Sequence, residues 1–130
     1  MTQLTEAQRA ELEALRRSYR AELPAKLGLI GGAVHTLHAG GWEKEHLQAL
    51  YDLIHKLTGS AAIYGFGDIS RAAGDLESWA LQALDGDLHE ARRLELTPLM
   101  SALQEAFSTT ETLGPGGPGR VRRRGSRASR

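Results

Sequence analysis

Residues 47–67, LQALYDLIHKLTGSAAIYGFG, decide the fold. Leu47, Leu50, Ile54, Leu57, Ala61 and Tyr64 recur at steps of three, four, three, four and three. That is the spacing of a helix burying one stripe against partner helices. His55 is outside the stripe. It follows Ile54 and so lies about 100° round the helix, on a row shared with Gln48, Asp52, Gly59 and Ala62. A helical side chain leans toward the N-terminus, so the residue four positions on covers much of its outer surface. At His55 that residue is Gly59, and Ala62 one turn further adds only a methyl. The imidazole is therefore expected to stand uncovered. A mid-helix Gly costs about 0.5–1 kcal/mol relative to Ala. Keeping one beside this His points to something that approaches the ring closely, although packing against another helix is the other use of such a glycine.

The flanking sequence reads as helices throughout. Thr5 has the position of an N-cap, with Gln8 completing a capping box, and a helix is expected to about Glu22 with Leu12, Leu15 and Tyr19 on one side. Pro24 suits the first turn of a second helix, whose apolar face is Leu27, Ile30, Val34 and Leu37. Gly28, Gly31 and Gly32 weaken it and imply either close helix approach or a bend. Ala39-Gly40-Gly41 is a stop and a turn. The helix carrying His55 is expected over Glu43–Tyr64, closed by Gly65-Phe66-Gly67, with Gly65 in the left-handed cap position and Phe66 folded back on the last turn. Asp68 is then the cap of the next helix, with Ile69, Ala72, Ala73, Leu76, Ala80 and Leu84 inward and Trp79 at the edge. After Asp85-Gly86-Asp87, with Asp87 and Glu90 as a capping pair, a last helix is expected over about 88–112, kinked or interrupted at Pro98. No period-two run is long enough for a strand. Short connections between helices of similar length imply antiparallel neighbours. The fold class is all-α: an up-down antiparallel four-helix bundle over 23–113, an additional N-terminal helix over 1–22, and a disordered Arg-rich tail over 114–130.

Composition narrows the function. The chain has 130 residues and no cysteine, which excludes disulfides, thiolate metal sites and cysteine nucleophiles. Neither a signal peptide nor a membrane span is visible, so a cytoplasmic location is expected. The formal net charge is zero, but the tail carries six Arg (120, 122, 123, 124, 127 and 130) and no acid. The remaining ten basic residues stand against sixteen acids, so residues 1–113 carry −6. The tail reads as a neutral solvated extension, as a contact for nucleic acid or anionic lipid, or as a contact for an acidic protein. It has no interleaved aromatics for base stacking.

Residues 55–77, HKLTGSAAIYGFGDISRAAGDLE, resemble a histidine phosphotransfer (HPt) domain. The likeness rests on His55, on Gly59-Ser60 and the small residues after them, and on the aromatic and glycine turn from Tyr64 to Gly67. A second helix carrying Leu76-Glu77 follows. With its flanks it covers about residues 23–113. The resemblance implies a four-helix bundle with the reactive His exposed midway along one helix, and a phosphoryl group relayed between His55 and aspartates on receiver domains of response regulators or hybrid histidine kinases. It makes the chain a phosphocarrier rather than an independent enzyme. No ATP loop, Walker motif or metal triad accompanies it, so no ATP-dependent kinase activity is expected, and no cofactor is expected in this chain. The divalent metal belongs to the partner receiver domain.

The chemistry suits these residues. Neutral imidazole is a good nucleophile, and an unperturbed ring titrates near pH ~6.5. Phosphoryl transfer asks a protein mainly for positioning and charge stabilisation. Many family members carry Lys three residues after the His; here that residue is Thr58. Lys56 is one residue from His55 but points about 100° away. Thr58 and Ser60 offer hydroxyls instead, with Ser60 on a different face. Asp52, one turn before His55, either orients the ring or is a solvated carboxylate. The docking surface is expected to centre on His55 and Gly59, with Asp52, Lys56, Ala62 and Tyr64 around it and Arg71 and Asp75 on the neighbouring helix. The competing expectation is a non-catalytic adaptor using the same face. His35 and His38 have metal-pair spacing without a third ligand, so no metal site is expected.

Overall fold

The structure is a computed structural model and describes residues 4–113; the Arg-rich tail lies outside them. The elements are α1 (Glu6–His38), α2 (Lys44–Ile63), α3 (Gly67–Leu84), the short α4 (Glu90–Leu94) and α5 (Leu96–Leu113). There is no strand among the described residues. The four long helices form an antiparallel bundle in which α2 lies between α1 and α3, and α3 between α2 and α5. The stripe that opens the sequence reading becomes the core: Leu47, Leu50, Ile54, Leu57 and Ala61 are buried, against Leu37 and Ile30 from α1, Ile69, Ala73, Leu76 and Ala80 from α3, and Leu96, Leu103 and Phe107 from α5.

Two prolines behave differently. Pro24 was expected to begin a second helix, yet α1 runs unbroken through it for 33 residues. The separate N-terminal helix is therefore the first part of α1. The capping box forms as expected, with Thr5 Oγ1 accepting from the Gln8 N–H at 3.1 Å and Gln8 Oε1 accepting from the Thr5 N–H at 2.9 Å. Burial on α1 begins only at Tyr19; Leu12 and Leu15, expected on that same face, are exposed because α1 extends past the end of the bundle. Pro98, in contrast, stands in the first turn of α5, and the chain breaks at Glu95 between α4 and α5, where a missing N–H costs no helical hydrogen bond.

Two expected caps are displaced. Phe66, not Asp68, is the N-cap of α3, and Asp68 instead pairs with Arg71 in the first turn. His89, not Asp87, caps α4 through Nδ1; Asp87 binds Arg92 at 2.7 Å. Trp79 is not at an edge but buried, its indole N–H donating to the Arg92 carbonyl at 2.7 Å. Gly28, Gly31 and Gly32 meet nothing within 4 Å of an added Cβ, so no helix approaches closely there.

The turn that positions the site is as read. Gly65 has φ +85°, and the Phe66 and Gly65 N–H groups donate to the Ala61 and Ala62 carbonyls at 2.8 and 3.2 Å, the paired bonds of a Schellman ending. Phe66 is buried beside Tyr19, whose hydroxyl shares a 2.6 Å hydrogen bond with Ser60 Oγ.

Two outcomes test this packing. Leu76 is fully buried, so Leu76→Ala should cost about 2–5 kcal/mol of unfolding free energy, read from urea melts. Burial holds the Tyr19 phenol above its ordinary range; its bond to Ser60 opposes this and the charge of Glu22 adds to it. A raised folded value means that this contribution to stability is complete below the unfolded phenol value of about 10 and is lost as pH rises above it. Urea melts from pH 9 to 11.5 should show a steeper alkaline loss for wild type than for Tyr19→Phe.

Candidate functional site

His55 lies midway along α2 with its side chain 63% exposed. No segment of α1 covers it. Two neighbours fix the ring. Tyr51, one turn earlier, stacks on it with centroids 5.5 Å apart and planes 19° from parallel. Glu77, from the facing side of α3, places Oε2 2.6 Å from His55 Nδ1. Glu77 is itself only 18% exposed, so a half-buried carboxylate anchors an outward-facing ring.

An ionised carboxylate can only accept a hydrogen bond. Glu77 therefore selects the tautomer with the proton on Nδ1, which leaves the Nε2 lone pair free. Nε2 has no hydrogen-bond partner among the described residues. Gly59, next on the row, has open space beyond its Cα, and Ala62 is exposed beyond it. The ring thus offers a nucleophilic nitrogen over a strip without side-chain bulk. Gly59 does not serve helix packing, since a Cβ there would meet nothing within 4 Å.

The other expected residues divide. Asp52 accepts from the Gln48 amide at 3.0 Å and makes no bond to the ring; the orienting carboxylate is Glu77. The Thr58 hydroxyl donates to the Ile54 carbonyl at 2.9 Å, and Ser60, on a different face as read, is bound to Tyr19, so both hydroxyls are engaged away from the ring. Tyr64 stacks on Tyr19 at 4.7 Å, and its carbonyl accepts from Arg16 Nε at 2.7 Å; it belongs to the bundle end. Lys56 is on the side of α2 that faces α1. Arg71 pairs with Asp68, and Asp75 is exposed on α3. His38 meets the edge of Trp42, and among the described residues no three His, Asp or Glu converge as metal ligands. No helix among them is long and apolar enough to cross a membrane.

Sequence reasoning missed Glu77 and Tyr51. A signal for Glu77 exists: His55 and Glu77 are each eleven residues from Phe66, so an antiparallel pair hinged there sets them opposite one another. Tyr51 is at i−4 from His55, the spacing at which helical side chains meet.

The hydrogen bond predicts an observable. Long-range 15N–1H spectra should show neutral His55 mainly as the Nδ1–H form in wild type, and Glu77→Ala should raise the share of the Nε2–H form, which predominates in free imidazole side chains. An unchanged tautomer ratio would sink the assignment of the proton.

Comparison with known proteins adds the family. The family model of the Hpt domain matches residues 3–106, a span that includes the whole of α1. No curated protein matches the chain, and no solved structure does. The matched span is well over half of the 130 residues and coincides with the bundle described above; the chain belongs to the Hpt domain family, whose role is phosphotransfer in two-component signalling.

Proposed function

We propose that this protein is a phosphorelay intermediate that accepts a phosphoryl group on His55 Nε2 from an aspartyl phosphate of one receiver domain and returns it to the aspartate of another. The observation that carries the reading is the ring itself: exposed, fixed on one edge by Glu77, and bordered by the open strip at Gly59.

The steps balance without a proton leaving the site. The Nε2 lone pair attacks phosphorus, the N–P bond forms, and the P–O bond to the receiver aspartate breaks with its electron pair leaving on the carboxylate. The Nδ1 proton stays in its bond to Glu77, whose charge balances the imidazolium. Return transfer reverses each step. Such a loose transition state asks for in-line positioning and charge stabilisation rather than covalent help. A divalent cation held by the receiver would neutralise the phosphoryl oxygens. The partners are receiver domains of response regulators or hybrid histidine kinases, and the same reading places the chain in the cytoplasm.

Incubation with phosphorylated receiver domains should put acid-labile phosphate on wild type and none on His55→Gln. Equal labelling of the variant would end the proposal. Unlabelled wild type that still binds receivers would mark an adaptor. Gly59→Gln fills open space on an exposed row, so the fold should survive by circular dichroism while transfer falls about 100-fold or more, the scale at which misplacing reacting atoms by about 1 Å is felt.

A further inference from the structure

The aromatic faces of this chain are put to different uses. Arg16 and Arg20 lie over Phe66, Lys26 over Tyr19 and Arg93 over Trp42. His38 meets Trp42 edge-on, with planes 88° apart. Tyr51 alone among the described residues turns its face to an imidazole, that of His55, with centroids 5.5 Å apart and planes 19° from parallel. Tyr51 is half-buried and packs against the core, so packing sets its place and the imidazole lies against a fixed surface.

Phosphorylation changes what that face meets. The ring that attacks is a neutral imidazole. Once the N–P bond forms at Nε2 with the proton kept on Nδ1, the ring is an imidazolium. The face of an aromatic ring is negative and attracts a cation within about 6 Å of its centroid. We propose that Tyr51 sets the energy of the phosphorylated state: its face stabilises the phosphoimidazolium more than the free imidazole, and so holds the phosphoryl group on this chain against return to the receiver. This rests on the phosphocarrier reading and adds to it a determinant of the equilibrium between carrier and receiver. His55 is 63% exposed, so the contribution is that of an exposed pair, a factor of about two to five in the equilibrium. Orientation alone would not have this effect. A face that only restrains the ring does so before and after phosphorylation alike, which changes rates and cancels from the equilibrium.

The test is a competition at equilibrium. Equal amounts of wild type and Tyr51→Leu, told apart by a size tag, share a trace of one phosphorylated receiver domain that labels wild type. Label exchanges through the receiver until its ratio on the two carriers is constant. Each N–P bond broken on one carrier is formed on the other, and the receiver drops out of the ratio, so differences in docking alter only the time taken. Wild type should hold about two to five times the label of Tyr51→Leu. Tyr51→Phe, which keeps the face and loses the hydroxyl, should share label equally with wild type. Thermal melts establish that each variant is folded, and Tyr51→Met repeats the comparison if leucine packs badly. An equal or larger share on Tyr51→Leu overturns the proposal and leaves the carrier role standing, as does a Tyr51→Phe that falls with it. If no receiver labels wild type, the carrier role fails and this equilibrium effect with it.

Discussion

The pairing of α2 with α3 is the constraint on which the rest depends. Gly65, at φ +85°, lets the chain reverse within three residues, and the two carbonyl bonds at Ala61 and Ala62 fix the angle at which α3 departs. From there the register is locked: Ser70 Oγ donates to the Thr58 carbonyl at 2.9 Å, and Gly74 lies against the Thr58 methyl. Glu77 meets His55 one turn further along. A slip of one residue would turn Glu77 about 100° away and leave Nδ1 without a partner. The turn glycine therefore sets the chemistry of a ring some three helical turns away.

The carboxylate and the imidazole have different exposures, and the difference matters. Glu77 is the more enclosed of the two, so its position is set by packing and the ring adjusts to it. The Tyr51 face removes the remaining freedom about the second torsion. A side chain that is half free to rotate would lose entropy on each encounter with a partner; here that loss is taken during folding. The result is one oriented nitrogen on a rigid rod, which is what the proposed phosphocarrier role requires.

Much of this was legible in the chain. The step pattern of 47–64 located the helix, its core face and the outward row of His55, because helical geometry needs only local information. The interruption expected near Pro98 is present, at Glu95 between α4 and α5, whereas Pro24 was less readable. Pro98 and Pro24 carry the same local signal, but α1 continues through Pro24 because Tyr19, Leu23, Ile30 and Val34 bury on one continuous face, and tertiary burial outweighs the local penalty. The caps at Asp68 and Asp87 failed for a local reason: each carboxylate pairs with an arginine a few residues on, Arg71 and Arg92. Glu77 is a different case at the site: its role comes from register across a turn, not from spacing along one helix. The Thr58 hydroxyl bonds the Ile54 carbonyl because a short hydroxyl in a helix competes for nearby backbone, and Ser60, read on a different face, packs inward on Tyr19.

Glycine separates structural demand from function. Gly41 would clash, with a Cβ 2.9 Å from His46 Nδ1 and 3.0 Å from the Thr36 carbonyl, and Gly65 needs its positive φ. Gly59 has neither reason: its backbone is helical and the space beyond it is empty. Gly28, Gly31 and Gly32 are equally free of contacts, so an open glycine is not by itself a site. What distinguishes Gly59 is its place one turn after an exposed His whose other nitrogen is held. Nothing within the described chain requires a glycine there, yet the helix bears about 0.5–1 kcal/mol for it. In the proposed phosphocarrier role, the clearance at Gly59 serves a receiver domain arriving over the ring.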